Sequence, residues 1–345
     1  MSRAAILPTP GDPFLLKHWM RYFTEIWGDE VDKLYVHLNT PVEASVLKYI
    51  KKVLDHPKVY LKHTPEYRQH GDCINEILDE VVEDHIMLIE DDAYIFKAGY
   101  VDSFFDILER GEADVIGSKR CSCAPEILRK VEERWGLDWK GVGDSGCNFW
   151  PNFLFTKKAT LLRTDRKFNA MTWKRGERIE ALDWVVDIDV ATGDTFVHAS
   201  LQLHAMGLTM MYIPQYHGSP DDIQNYETKE FLFDGKAPWV HLGSLSSGFN
   251  GVLFDDQGRS LANRTILAPQ PTDLPKLCNT PGERNEWERR VQFWQMFWED
   301  ADPTGLEEIH DLYGKAIERV IVQYRLNRKN IIKRRRIYRE LGLLK

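Results

Sequence analysis

Between His85 and Phe96 a short apolar run, Ile86 to Ile89, goes straight into three consecutive carboxylates, Glu90, Asp91 and Asp92. An apolar run of that length bounded by polar residues is a strand. The first 120 residues, which contain it, alternate such runs with helical spacing, which is the pattern of an α/β fold. Strands are expected at Ala4 to Leu7, Lys33 to Leu38, Val59 to Leu61, His85 to Ile89 and Ala113 to Gly117. Helices are expected between them, at Phe14 to Ile26, Pro41 to Leu54, Cys73 to Val82 and Tyr100 to Leu108. In open α/β sheets ligands bind beyond the carboxyl ends of the strands, and the acidic triplet sits at such an end.

The middle of the chain is less regular. Asn148 to Phe155 and Thr209 to Ile213 read as strands, and Asp194 to Met206 as a helix. Pro220 to Pro238 reads as a long polar loop, Trp239 to Leu242 as a short strand, and Gly243 to Gly251 as a Gly- and Ser-rich loop suited to a lid. A Pro- and Thr-rich linker, Ala268 to Gly282, precedes two helical segments, Glu283 to Trp298 and Leu306 to Tyr338. The boundary falls near residue 270, with a body over 1–270 and a helical region over 271–345.

Charge divides the chain the same way. From Ile317 to Lys345 ten basic residues face Glu318 and Glu340, a net +8, so the rest carries −16 of the total −8. A tail of that sign suits a polyanion: nucleic acid, anionic lipid or an acidic protein face. Five scattered cysteines do not make a disulfide framework, and Cys121-x-Cys123 lacks zinc spacing. With neither a secretory leader nor a membrane-spanning run evident, the expectation is a reducing, cytosolic location.

Clustered carboxylates repel one another, so a cation should offset them, and hard oxygen ligands favour Mg²⁺ or Mn²⁺. Such an ion would in turn bind a diphosphate.

With these residues in view, the chain from about residue 4 to 250 resembles the GT-A glycosyltransferases, closest in style to the broad family 2. The likeness rests on the strand ending in Glu90-Asp91-Asp92, on Gly71-Asp72-Cys73-Ile74-Asn75 upstream, on Ala113 to Gly117 downstream, and on Pro8-Thr9 after the first strand. It implies a Rossmann-like mixed sheet flanked by helices, with a nucleotide-sugar half over about 1–120, an acceptor half over about 121–270 and a helical C-terminal extension. It implies a nucleotide-sugar donor, a UDP-sugar in the first instance, and a Mn²⁺ or Mg²⁺ ion.

By the same resemblance Asp92 is a metal ligand, Glu90 faces the ribose or a metal-bound water, and Asp91 contributes to either. Pro8, Thr9 and Asn39 lie near the base, while Gly71 and Asn75 belong to the donor site. Asp194 is the general base of an inverting reaction, with Asp187, Asp189 and Asp183 as rivals. A carboxylate at a helix start is held ionised by the helix dipole, which suits that role, although an N-cap looks the same. His241 and His217 compete for the metal. Lys119 and Arg120 could balance the diphosphate, and Trp150 and Trp184 could stack on a sugar.

The departures are the Glu-Asp-Asp order, Gly193-Asp194 where relatives carry an acidic pair, and the unmatched Pro220 to Pro238 segment. The acceptor is a glycan, a protein or, given the basic tail, hydroxymethylated DNA. Two other function classes compete with this reading. A sugar nucleotidyltransferase would carry basic residues in Pro8 to Pro13, and these are lacking. A nucleic-acid-binding protein acting through the tail would leave the acidic triplet unexplained.

Overall fold

The computed structural model describes residues 1–11, 13–39, 42, 44–91, 93–95, 97–119, 124–137, 149–192, 195–213 and 239–241. In chain order the elements are β1 (Arg3–Thr9), α1 (Pro13–Tyr22), β2 (Lys33–Leu38), α2 (Ala44–Val53), β3 (Val59–His63), α3 (His70–Leu78), β4 (His85–Ile89), β5 (Ala93–Ile95), α4 (Tyr100–Glu109) and β6 (Val115–Lys119). There follow α5 (Pro125–Trp135), β7 (Phe149–Lys157), α6 (Lys158–Leu161), β8 (Thr172–Trp173), β9 (Arg178–Ile179), β10 (Trp184–Val185), β11 (Val190–Ala191), α7 (Val197–Ala205), β12 (Met210–Ile213) and β13 (Trp239–His241).

Seven strands form one mixed sheet in the order β12-β6-β7-β4-β1-β2-β3. All neighbours are parallel except β7, which runs against both β4 and β6. The fold is therefore the mixed α/β sheet flanked by helices that the sequence leads one to expect. The soft boundary near 270, the helical region beyond it and the basic tail lie outside the described residues.

Both faces of the sheet are covered, and the strand residues alternate between two cores. Ala4, Ile6, Ile86 and Leu88 pack with α3 and α7 through Ile74, Ile77, Leu78, Ala199 and Leu203. Ala5, Leu7, Met87 and Ile89 pack on the other face with Leu16, Trp19, Ile50 and Phe105 from α1, α2 and α4. Burial on both faces is why β1 and β4 read as unbroken apolar runs instead of alternating ones. A third core joins Ile127 and Val131 of α5 and Leu201 of α7 to Trp173, Ile179, Leu182 and Val190. These last four come from 171–192, which forms two small antiparallel ladders, β8 with β11 and β9 with β10.

Several boundaries have local causes. Pro125 opens α5, and Gly136 ends it at φ +67°, its N–H donating to the Glu132 carbonyl. The start of α4 is capped from a distance: Glu30 accepts the N–H groups of Gly99 at 2.6 Å and Asp102 at 2.9 Å. The helix expected from Phe14 to Ile26 is regular only to Tyr22 and widens into a π-turn over Phe23–Trp27. There Trp19, Phe23 and Trp27 pack edge and face, with Phe23 and Trp27 4.9 Å apart at 85°. No helix among the described residues is long and apolar enough to cross a membrane.

Candidate active site

From β1 the chain adds β2 and β3 on one side and β4 on the other, so the sheet's topological switch lies between β1 and β4. Ligand crevices of open α/β sheets form at that point, beyond the carboxyl ends. The register brings Thr9 level with Leu38 and Ile6 level with Leu88, so the ends of β1, β2 and β4 share one rim. The antiparallel β7 enters this rim with its N-terminal end, pairing Phe153 with Ile89.

At the rim the Ala93 N–H donates to the Glu90 carbonyl at 3.1 Å, closing a four-residue turn around Asp91 and residue 92. Asp91 is 3% exposed and Thr9 fully buried, and the Thr9 hydroxyl donates to Asp91 Oδ2 at 2.6 Å. A buried carboxylate needs such a partner, and 2.6 Å is typical of a hydroxyl bonded to an ionised oxygen. Thr9 Oγ1 in turn accepts from the Gly11 N–H at 3.1 Å. Glu90 has its carboxylate 3.9 Å from His70 Nε2, and its backbone N–H points to the Asn152 carbonyl at 3.4 Å.

The other expected residues distribute as follows. Pro8 pairs with His37 inside the β1–β2 ladder, one step below Thr9. Asn39 donates its N–H to the Thr9 carbonyl and accepts the Arg68 N–H on its own carbonyl, both at 2.9 Å. Its side-chain Oδ1 is buried with no hydrogen-bond partner among the described residues. An orphaned buried acceptor costs about 1–3 kcal/mol, so a ligand N–H arriving there would be rewarded. Lys119 ends β6 opposite Phe149, past an irregularity in the ladder. Arg120 lies outside the described residues.

Gly71 and Asn75, assigned to the donor site, both contact the segment 165–169 of the chain itself. A Cβ on Gly71 would lie 2.4 Å from the Asn169 nitrogen, so only glycine lets α3 approach that segment. Asn75 Nδ2 donates to the Arg166 carbonyl at 2.6 Å, and its Oδ1 accepts from Arg166 Nε at 3.1 Å. Both ends of the amide are thus engaged, and the pair docks α3 onto 165–169.

Of the residues assigned to the cation, Asp92 and His217 lie outside the described residues, as does the side chain of His241. The backbone of His241 is placed: β13 pairs with β5, setting His241 opposite Ala93 and so beside the acidic turn. Trp239 anchors that strand, stacking on Phe153 with centroids 4.6 Å apart at 22°. Among the described residues no group of three or more His, Cys, Asp or Glu side chains is arranged to hold a metal ion. Among the described residues the rim carries the carboxylates of Glu90 and of Asp91, the latter bonded to Thr9.

Asp194 lies outside the described residues, and so does the lid segment after Leu242. The expected helix there begins later than the sequence suggests: Phe196, at φ 73°, is the N-cap and Val197 the first helical residue. The N-cap position of that helix thus falls on Phe196, two residues after Asp194 in the sequence. Among its rivals, Asp189 is bound by Lys174 Nζ and the Arg175 N–H, both at 2.9 Å, which hold its carboxyl below the usual range. Asp183 is ion-paired to Arg178. Asp187 is exposed. Trp184 is partly buried against the third core, with Lys130 Nζ 5.9 Å from its ring centre. The Trp150 side chain lies outside the described residues.

Three rim residues carry no obvious sequence mark. His70 and Asn152 approach Glu90, and the Trp19 indole donates to the Ala93 carbonyl at 3.0 Å. His70 directly precedes Gly71, and Asn152 is a fully buried polar residue in an apolar strand, so both were findable. Trp19 reads only as core. Cys73 is a buried free thiol, and burial pushes it up to about 12, which disfavours the reactive thiolate.

No family model matches the chain, and neither does any curated protein. Solved structures do match. S. aureus TarS 1-349 aligns over 96% of this chain and 92% of its own, at 11% identity and a TM-score of 0.42. The mannosyltransferase PcManGT from Pyrobaculum calidifontis, in complex with GDP-Man and Mn²⁺, aligns over 95% of this chain and 83% of its own, at 14% identity and a TM-score of 0.42. Core-mannan synthase A from Aspergillus fumigatus, in its Mn/GDP form, covers 48% of this chain and 61% of its own, at 11% identity and a TM-score of 0.33.

Proposed function

We propose that this protein transfers a sugar from a nucleotide-sugar donor, in the first instance a UDP-sugar, to an acceptor hydroxyl. The observation that carries the reading is the convergence at one switch-point rim of Thr9, the Asn39 acceptor without a partner among the described residues, and the Glu90–Ala93 turn. Pro8, Thr9 and Asn39 form the nucleoside end, Thr9 from behind through its bond to Asp91, and Glu90 takes the ribose. Asp92 would hold Mn²⁺ or Mg²⁺ together with a histidine, His241 or His217; the β5–β13 register, which sets the His241 backbone beside the acidic turn, supports His241. Bound there, the ion would offset the charge of the diphosphate.

The chain's own residues do the remainder. Lys119, on the same rim at the end of β6, adds positive charge for the departing nucleoside diphosphate. Asp194 takes the proton of the acceptor hydroxyl, whose oxygen attacks the anomeric carbon from the face opposite the leaving group. The product is inverted. Gly71 and Asn75 serve the donor site indirectly, by docking α3 on 165–169. The acceptor is a glycan or hydroxymethylated DNA, the latter reached through the basic tail.

The reading is tested by thermal shift with a panel of nucleotide sugars, with and without Mn²⁺. A donor at about 100 times its dissociation constant adds roughly 2.7 kcal/mol, a shift easily seen. A Mn²⁺-dependent shift with one donor supports the proposal. No shift with any donor refutes it.

A further inference from the structure

One string of hydrogen bonds runs along the carboxyl rim across three parallel strands. The Arg68 N–H donates to the Asn39 carbonyl, and the Asn39 N–H donates to the Thr9 carbonyl, each at 2.9 Å. The Thr9 hydroxyl then donates to Asp91 at 2.6 Å. The last step is the only one made by side chains, and it crosses the switch point from β1 to the turn after β4. On the other flank of that turn, the Trp19 indole donates to the Ala93 carbonyl at 3.0 Å. Residues 91 and 93 are thus pinned by buried partners from β1 and α1, and residue 92 lies between them.

We infer that Thr9 and Asp91 form a latch that positions the acidic turn, and that Asp91 is a positioning residue instead of a ligand for donor or cation. The inference rests on the reading of this rim as a nucleotide-sugar site. Three features support it. Asp91 is buried and Thr9 is sealed from solvent, so the carboxylate is spent inward. The bond links a loop at the nucleoside end to a turn at the diphosphate end. A turn held before the ligand arrives avoids the entropic cost of ordering it on binding.

The test compares Thr9→Val, Thr9→Ser and Asp91→Asn in the full chain. Two quantities are followed: amide hydrogen exchange of the peptide spanning residues 88–95 in metal-free protein, and Mn²⁺-dependent thermal stabilisation by the nucleotide sugar that the wild type binds. Thr9→Val is expected to speed exchange in that peptide and to weaken donor binding about tenfold, while Thr9→Ser, which keeps the hydroxyl, restores both. Should Thr9→Val fail to fold, Asp91→Asn carries the same comparison. Its neutral amide accepts the Thr9 hydroxyl more weakly, so it should show faster exchange of the turn together with weaker binding.

Unchanged exchange in Thr9→Val overturns the latch. So does an Asp91→Asn variant that loses binding while its turn exchanges as in the wild type, since Asp91 would then be a ligand. A wild type that binds no donor removes the glycosyltransferase reading by itself, and the exchange measurement still decides whether the latch exists.

Discussion

Asn75 and Arg166 hold each other by three hydrogen bonds: Asn75 Nδ2 to the Arg166 carbonyl at 2.6 Å, Arg166 Nε to Asn75 Oδ1 at 3.1 Å, and Arg166 Nη2 to the Asn75 carbonyl at 2.7 Å. Arg166 adopts φ 59°, a conformation that side chains other than glycine rarely take, and the amide fixes it there. Arg166 Nη1 also reaches Asp79 at 2.8 Å and holds that carboxyl below its usual range. Asn75→Ala should therefore cost about 1–3 kcal/mol by stranding partly buried polar groups. For a body of this size that is a fall of about 2–4 °C in Tm per kcal/mol. A variant with wild-type Tm that has lost donor binding would instead place Asn75 on the ligand.

Asp92 and Asp194 are expected to separate cleanly by kinetics. Asp92→Asn should abolish both Mn²⁺-dependent donor hydrolysis and transfer, because it removes the anion assigned to the cation. Asp194→Asn should retain Mn²⁺-dependent donor binding while transfer falls by about 10²–10⁴-fold, the usual contribution of a positioned base. Isothermal titration alongside product assays reads both. Donor binding lost in Asp194→Asn, or wild-type turnover in Asp92→Asn, contradicts the respective role.

Acid should destabilise the fold through two buried histidines. Burial lowers His37 below the ordinary imidazole value of about 6.5, against the opposing pull of the Cys73 carbonyl and Glu76. Burial lowers His85 in the same way, and neither of its ring nitrogens has a hydrogen-bond partner among the described residues. Above 6.5 both rings are neutral, folded or unfolded, and add no pH dependence. Below it the unfolded chain binds protons that the folded chain refuses, so stability drops as pH falls. Urea midpoints taken from about pH 8 down to about pH 5 should decline, and His85→Leu should flatten that decline. His85→Leu should also gain about 1 kcal/mol at neutral pH by removing unsatisfied buried nitrogens. An equally steep acid limb in the variant would clear His85 of the effect.

The sheet was legible because burial on both faces writes strands as solid apolar runs: Lys33–Leu38 and His85–Ile89 are found with the limits the sequence suggests. The 171–192 ladders were not legible. Their strands are two residues long, too short for any period to register, and they are held by a core shared with α5 and α7. The start of α7 was misplaced because Asp194 looks like an N-cap, whereas the chain turns at Phe196, which stacks on Phe168 at 5.1 Å. In the site, the triplet and Pro8-Thr9 were visible as motifs, but their meeting was not. The Thr9–Asp91 bond spans 82 residues and depends on β1 and β4 being neighbours. Gly71 and Asn75 were visible as marked residues whose partners, Asn169 and Arg166, lie more than 90 positions away and leave no local trace.

The β5–β13 ladder bears on the proposed cation site. His241 faces Ala93 across it, and Trp239 supplies the anchorage: 6% exposed, it stacks on Phe153, which itself stacks on Tyr100 at 6.1 Å and 10°. An aromatic stack contributes about 0.5–1.5 kcal/mol beyond the area it buries, and truncating a buried Trp to Ala costs about 3–5 kcal/mol in all. A ladder of three residues cannot supply that by itself. Trp239→Ala should therefore release β13 and weaken Mn²⁺ binding by about tenfold or more, as much as His241→Ala does, although Trp239 offers the ion no ligand. The two variants should differ in Tm, which falls for Trp239→Ala and holds for His241→Ala, while His217→Ala should leave Mn²⁺ affinity unchanged. Titration of Mn²⁺ by electron paramagnetic resonance, read beside the melting curves, checks all three. Loss of affinity in His217→Ala with none in His241→Ala would move the histidine ligand off β13.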